Sequence, residues 1–142
     1  MKLFKKIIII IKHINSFKQT KVIKIMDSFD TLTILLGYFP EEFIPDSTPA
    51  IHNALYELSQ RKEYKKTFPK VVFKNKTDYR YSLEIAADFR NMEICEWISS
   101  NDQNLMISPA LRRRAKEKEQ TISEQKRATL EKMAQEFSAL LG

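Results

Sequence analysis

The chain has 142 residues, of which 43% are hydrophobic and 30% charged, as expected for one globular domain and not for a disordered chain. Its formal net charge of +6 comes from one end: residues 1–25 carry seven lysines and no acid, and residues 26–142 carry the other 17 basic residues against all 18 acids. Two glycines are too few for a phosphate-binding loop, which excludes Walker and dinucleotide motifs. The single cysteine, Cys95, excludes an internal disulfide, indicates a reducing compartment, and has apolar neighbours that predict a buried thiol.

Residues 1–25 are predicted to be a basic arm that precedes a single domain at 26–142. The apolar run Ile7 to Ile11 ends at Lys12 and is shorter than the ~7–15 residues of a signal peptide core or the ~20 of a membrane span. We therefore expect neither export nor a transmembrane helix. Three interpretations remain open: a basic tail for nucleic acid or anionic lipid, an edge strand, or a segment outside the folded domain. Met26 opens a stretch typical of an N-terminus, and we hypothesise that translation begins there.

Two helices are predicted at the start of the body. Asp27 or Ser28 can cap the first helix, which runs to about Tyr38 and ends at Gly37 and Pro40. A loop at 40–47 follows. Thr48 as a cap, with Pro49 in the first turn, then opens a helix that reaches about Arg61. Helical spacing predicts that its buried residues are Ile51, Ala54, Leu55 and Leu58.

The centre of the chain is predicted to alternate between short strands and a third helix. Residues 71–73 are β-branched or aromatic and favour a strand, and Thr77 or Asp78 can cap a helix at 79–91. Its predicted core residues are Leu83, Ala86, Ala87 and Phe89. Two β-like runs, 93–98 and 105–108, flank a turn-rich segment and predict a wing-like hairpin; the alternative is that the third helix continues through Trp97.

Two helices are predicted to complete the chain. Ser108 and Pro109 repeat the cap-then-proline signal and open a helix through about Gln120. Residues 121–124, Thr-Ile-Ser-Glu, match a capping box before the last helix. That helix has the clearest amphipathic pattern of the chain, and its stripe should pack on the core or on another copy. The candidate interface residues on this stripe are Leu130, Met133, Phe137, Leu140 and Leu141.

This order of elements resembles a winged-helix domain followed by two C-terminal helices. Residues 79–84, Tyr-Arg-Tyr-Ser-Leu-Glu, through 106–113, Met-Ile-Ser-Pro-Ala-Leu-Arg-Arg, are similar to small uncharacterised bacterial proteins of winged-helix-like type. The resemblance implies a mainly α, α+β fold with a small β-hairpin and a bacterial, cytoplasmic protein. It also implies binding of DNA or of another protein, and fold alone does not decide between these.

The charge pattern offers two candidate surfaces for nucleic acid: the third helix with its wing, and residues 61–76. The third helix mixes basic with acidic residues, and the wing loop carries Asp102 and no cation, which disfavours reading of a DNA groove. Residues 61–76 are a better candidate because seven cations face one acid, and Tyr64, Phe68 and Phe73 interleave as in surfaces that bind phosphates and stack bases. The seven are Arg61, Lys62, Lys65, Lys66, Lys70, Lys74 and Lys76. A second basic run at 112–118 is diluted by glutamates and reads as a solvated helix face.

Catalytic chemistry has little support in the sequence. His52 lies on the second helix without an acid in its own turn, and we expect a partly exposed histidine. Glu84 and Asp88 lie one turn apart but lack a third ligand, so we expect a solvated stripe. The prediction is therefore a non-catalytic domain with no cofactor, metal or small-molecule ligand. It binds a protein or a second copy of itself, or, as the less favoured alternative, nucleic acid in a sequence-tolerant way through 61–76.

Overall fold

The structure, a computed structural model, describes residues 26–142; the predictions for the basic arm at 1–25 and for translation from Met26 lie outside the described residues. The described part is a mixed α+β fold. Its helices are α1 (Ser28–Gly37), α2 (Thr48–Gln60), α3 (Leu83–Ile94), α4 (Pro109–Glu119) and α5 (Glu124–Leu141), with a 3₁₀ turn at Lys62–Tyr64. Its strands are β1 (Phe43–Pro45), β2 (Lys74–Asn75), β3 (Arg80–Tyr81), β4 (Ile98–Asn101) and β5 (Asn104–Ile107).

An antiparallel sheet in the order β1-β5-β4 closes one side of the helices. Strand β5 is central, with Ile44 opposite Leu105 on one side and Ile98 opposite Ile107 on the other. The prediction of a plain loop at 40–47 is wrong, because β1 lies within it. The strand has three residues, the last of them Pro45, and is too short to show alternation, yet Ile44 is fully buried and pairs with Leu105 of β5.

Each α-helix of the described residues begins with a side chain that caps it. Asp27 caps α1, and the other helices follow a serine whose hydroxyl accepts the backbone N–H three residues on. The cap of α2 is Ser47 and not Thr48, and the cap of α5 is Ser123 and not Thr121. The predicted capping box therefore does not form, although both helices start within one or two residues of the expected position.

The segment between α2 and α3 differs most from its prediction. Residues 71–73 are not a strand; instead β2 and β3 pair as a two-stranded hairpin, and α3 starts at Leu83 behind its cap Ser82. The later start rotates the helix relative to expectation. Leu83 is 58% exposed and Ala87 is exposed as well, whereas Ile85 is fully buried in the core.

The predicted second hairpin is confirmed, with β4 and β5 joined by a tight turn in which Asp102 has a φ of 57°. Helix α3 ends at Ile94, so neither a strand over 93–97 nor a helix through Trp97 is correct. The chain reverses through Glu96, whose φ is 61°, and the Trp97 N–H returns to the Met92 carbonyl at 2.8 Å. Cys95 lies on this turn and is exposed, which corrects the expected buried thiol.

Helix α5 contributes to the core and is not a free surface. Leu130, Met133 and Phe137 are at most 1% exposed, and Phe137 packs edge-on against Phe39 with 5.7 Å between ring centroids. Three of the five candidate interface residues are therefore core residues, and only Leu140 and Leu141 keep partial exposure. Among the described helices, none is long and apolar enough to cross a membrane.

Candidate nucleic-acid interface

The lysines of the predicted basic segment reach solvent, but its arginine does not serve the same surface. Lys62, Lys65, Lys66, Lys70, Lys74 and Lys76 are all exposed, and none forms an ion pair with another residue of the 26–142 range. Arg61 instead lies 3.5 Å from the Glu57 carboxylate and 3.3 Å from that of Glu136 on α5. We name the six lysines the free-lysine group and exclude Arg61 from it.

Two of the three aromatic residues predicted to interleave with these cations are in the core. Tyr64 is 1% exposed and Phe68 is 6% exposed. The Tyr64 hydroxyl donates to the Glu136 carboxylate, and burial, followed by this hydrogen bond, raises the pKa of Tyr64. Phe73 is partly buried and packs on Tyr56 at 5.4 Å between ring centroids. These three rings anchor the segment to the core and to α2, and they do not offer free faces on which bases could stack.

A different set of aromatic residues stands beside the lysines, on the hairpin of β2 and β3. Lys74 is opposite Tyr81, and the Lys76 N–H donates to the Tyr79 carbonyl at 2.8 Å, which closes the turn. Because side chains alternate along a strand, Lys74, Lys76, Tyr79 and Tyr81 share one face. The Lys76 Nζ lies 4.9 Å from the centroid of the Tyr81 ring, and the Tyr79 ring lies 6.3 Å from the same ring. We call these four residues the hairpin face.

Arg80, which alternates with Tyr79 and Tyr81, also fixes the hairpin to α2. The Arg80 guanidinium lies over the Tyr56 ring, 4.7 Å from its centroid, and the Arg80 backbone N–H donates to the Asn53 Oδ1 at 2.9 Å. Arg80 was predicted to lie on the third helix, and its position in β3 corrects that prediction. These contacts hold a two-stranded hairpin that would be unstable alone.

His52 of α2 supports both the hairpin and the start of α3. It is 3% exposed, which corrects the expected partly exposed histidine. Its ring stacks on Tyr81 with 4.8 Å between centroids and 4° between planes, and its Nδ1 accepts the Ser82 backbone N–H at 3.0 Å. Burial lowers the pKa of His52, so the imidazole is neutral at neutral pH.

The acids of the predicted third helix do not form the expected solvated stripe. Asp88 is 8% exposed and accepts the Ser28 hydroxyl at 2.6 Å, and Glu84 accepts the Val72 backbone N–H at 3.1 Å. Asp78 precedes β3 and is not on α3. The exposed residues of α3 are Leu83, Ala87, Arg90, Asn91, Glu93 and Ile94. The exposed side of this helix therefore keeps a mixture of charges, with one cation, Arg90, and one acid, Glu93.

The second basic run, on α4, is used largely for structure. Arg112 donates to three backbone carbonyls that follow α1, those of Gly37, Phe39 and Glu41, at 2.7–3.1 Å. Lys118 pairs with Asp30, and Arg114 pairs with Glu117. Arg113, Arg114 and Lys116 are exposed, as expected for a solvated helix face, whereas Arg112 and Lys118 are partly buried and hold contacts within the fold. No metal-binding group of three or more His, Cys, Asp or Glu side chains is found among residues 26–142.

Compared with known proteins, the chain matches no family model, no curated protein and no solved structure. The functional argument therefore depends on the geometry of the hairpin face and of the lysines that lead to it.

Proposed function

We propose that the chain is a sequence-tolerant nucleic-acid-binding domain that contacts phosphates through the free-lysine group and bases through the hairpin face. The observation that carries the proposal is the placement of Lys74, Lys76, Tyr79 and Tyr81 on one side of a hairpin fixed to the core. The proposal reverses the order of the two functions expected from the sequence. The predicted self-association stripe loses three of its five residues to the core, whereas the lysines keep their exposure.

The winged-helix resemblance is part of this proposal. The order α1, β1, α2, α3, β4, β5 and the sheet order β1-β5-β4 support it. In that arrangement β4 and β5 form the wing, α3 is the helix presented to nucleic acid, and the β2–β3 hairpin stands just before it. Arg90 and Asn91, both exposed on α3, are of the types that contact phosphates and base edges.

Two physical effects would give the surface its affinity. Each lysine that neutralises a phosphate releases a counterion, so affinity falls as salt rises, with a slope of about 0.7 per contact on a single strand. A base that stacks on an exposed tyrosine adds about 1–3 kcal/mol and does so for any base. Tyr79 is the better stacking residue because Tyr81 already uses one ring face for His52.

The test is fluorescence anisotropy of the full chain with a thymidine oligonucleotide of about 20 nucleotides, between about 50 and 200 mM salt. Lys74→Gln with Lys76→Gln should lower the log–log salt slope by about 1.4. The control, Arg113→Gln with Lys116→Gln, removes two exposed cations from α4. It shows how much affinity is lost when two cations are removed outside the proposed surface, while the seven lysines of residues 1–25 attract the oligonucleotide equally in both variants. Equal losses in the two double variants would overturn the proposal.

A protein partner is the second candidate, and the observation that favours it is a row of exposed apolar side chains. Leu83 and Ile94, 58% and 72% exposed, lie eleven residues apart on α3 and thus on the same face, and Val72 is 57% exposed. We assign a second copy of this chain as the occupant. Light scattering of the full chain over a range of concentrations should then show dimers that Leu83→Gln with Ile94→Gln abolishes. A monomer at every concentration would overturn this candidate.

A further inference from the structure

A cavity of about 390 Å³ opens between four parts of the fold. The N-terminus of α1 forms one wall, and the loop after the 3₁₀ turn, the first turn of α3 and the start of α5 form the others. Its volume falls within the ~300–1,000 Å³ of small-molecule sites. The hairpin face is not part of its lining, so the cavity is distinct from the base-stacking surface proposed above.

One polar group on the cavity wall has no partner among the described residues. Thr67 is 8% exposed, and its side-chain hydroxyl makes no hydrogen bond within the 26–142 range, although its backbone N–H donates to the Tyr64 carbonyl. A polar group that enters the cavity can form a hydrogen bond with this hydroxyl in place of water. Phe68, Pro69 and Val71 supply apolar surface next to it.

The lining of the cavity carries more cations than acids. Its two carboxylates each accept a backbone N–H, Asp27 from Asp30 at 2.8 Å and Glu84 from Val72 at 3.1 Å, and both keep their negative charge. Its three cations, Lys66, Lys70 and Lys126, form no ion pair with another described residue. The lining therefore carries three cations against two acids, and an anionic group that enters the cavity meets ammonium groups from two different elements.

We propose that this cavity binds a small organic anion: a carboxylate attached to a flat apolar body. The carboxylate contacts the lysines and the Thr67 hydroxyl, and the body packs on Phe68, Pro69 and Val71. The proposal replaces the expectation that the chain has no small-molecule ligand. Lys66 and Lys70 also belong to the free-lysine group, whereas Lys126 and Thr67 do not, and the test below uses small probes so that its outcome is separate from nucleic-acid binding.

The test uses two probes of similar shape, naphthalene-2-carboxylate and the neutral naphthalene-2-methanol, titrated calorimetrically into the full chain. We expect the carboxylate to bind about tenfold or more tightly than the alcohol, as for one charge-assisted contact. Lys66→Gln with Lys126→Gln should remove that preference and leave the alcohol unchanged. Thr67→Val, which keeps the shape of the side chain, should weaken both probes, because each can form a hydrogen bond with the Thr67 hydroxyl.

The matched control is Lys65→Gln with Lys132→Gln, which removes the same charge from the same loop and the same helix outside the cavity lining. Thermal melts of all variants establish that they are folded. Three results would each overturn the proposal: no binding of the carboxylate at millimolar concentration, equal binding of the two probes, or equal loss in the cavity variant and the control. None of them bears on the oligonucleotide experiment.

Discussion

The imidazole of His52 lies parallel to the phenol ring of Tyr81, with 4.8 Å between centroids and 4° between planes. Its Nδ1 accepts the backbone N–H of Ser82, the residue that caps α3. One buried side chain of α2 therefore fixes both the hairpin and the beginning of the next helix. This arrangement requires an unprotonated Nδ1, because a protonated nitrogen cannot accept a hydrogen bond.

The stability of the domain should fall in mild acid because of His52. Burial lowers the pKa of this side chain in the folded protein below its ordinary value of about 6.5. Below that pH the unfolded chain binds a proton that the folded chain does not, so the free energy of unfolding decreases as pH falls through about 6.5 toward the folded-state pKa. Urea unfolding at about pH 7.5 and pH 5.5 measures the decrease.

The control for this prediction is His52→Gln, which cannot titrate. Its free energy of unfolding should change less between the two pH values than that of the parent chain, although the variant is less stable overall. The comparison removes the contributions that the two chains share, such as that of Asp88. An identical pH dependence in the two proteins would show that His52 does not carry the effect.

Ser28→Ala should destabilise the domain through Asp88. The Ser28 hydroxyl donates to the Asp88 Oδ2 at 2.6 Å and links α1 to α3. Burial raises the pKa of Asp88, and the Ser28 hydrogen bond opposes that shift. Without the hydroxyl the buried carboxylate loses a donor, which costs about 1–3 kcal/mol at neutral pH. The pKa of Asp88, followed by NMR, should rise further in the variant.

The comparison variant is Ser59→Ala. The Ser59 hydroxyl donates to the Tyr56 carbonyl of its own helix at 2.6 Å, and its loss should cost less than about 0.5 kcal/mol. Chemical denaturation of both variants provides the measurement. If Ser28→Ala is no more destabilising than Ser59→Ala, the Asp88 contact contributes nothing to stability.

Arg112→Met should be much more destabilising than the same change at Arg113. Arg112 donates to the carbonyls of Gly37, Phe39 and Glu41. These carbonyls lie at the end of α1 and just after it, where no following helical turn supplies an N–H donor. Methionine keeps part of the aliphatic packing but no donor, so we expect a loss of about 2–3 kcal/mol in urea unfolding. Arg113 is exposed, and its replacement should change stability by less than about 0.5 kcal/mol. Similar losses at both positions would contradict this role.

Gly37→Ala should destabilise the contact between α1 and α4. A Cβ at position 37 would lie 2.2 Å from the Cβ of Ala115, so the two helices must separate. Overpacking of this kind costs about 1–3 kcal/mol. The double variant Gly37→Ala with Ala115→Gly moves the methyl group to the other helix and should restore most of the melting temperature. A double variant as unstable as Gly37→Ala would place the cause elsewhere.

Local sequence signals were sufficient for most helices and insufficient where pairing decides the structure. Helices α1, α2, α4 and α5 were predictable because each combines a cap with apolar residues at helical spacing. Strand β1 was not, because it is short and depends on β5, which lies some 60 residues away in sequence. The start of α3 was missed because residues 79–81 fit a helix as well as a strand, and the partners that fix them, His52 and Asn53, lie on α2.

For the candidate site, too, local composition was readable from the sequence, whereas the positions that depend on strand pairing were not. The cations at 61–76 were visible in the sequence, and their exposure followed from charge alone. Which aromatic residues accompany them was not visible. Tyr64 and Phe68 belong to the core, and Tyr79 and Tyr81 became candidates only once β2 and β3 were known to pair. The helix predicted at 79–91 includes residues 79–81, and their alternation, Tyr-Arg-Tyr, is the one signal that favours a strand there.

Two contacts of α5 limit where the domain can be truncated or recombined with other sequences. Glu136 binds Tyr64 and Arg61, and Phe137 packs on Phe39. A fragment that stopped before α5 would leave the preceding helices and the sheet with an exposed hydrophobic flank. Libraries that shuffle the chain with other sequences should therefore exchange residues 39–64 together with Glu124–Leu141, with crossover points confined to the hairpin loops.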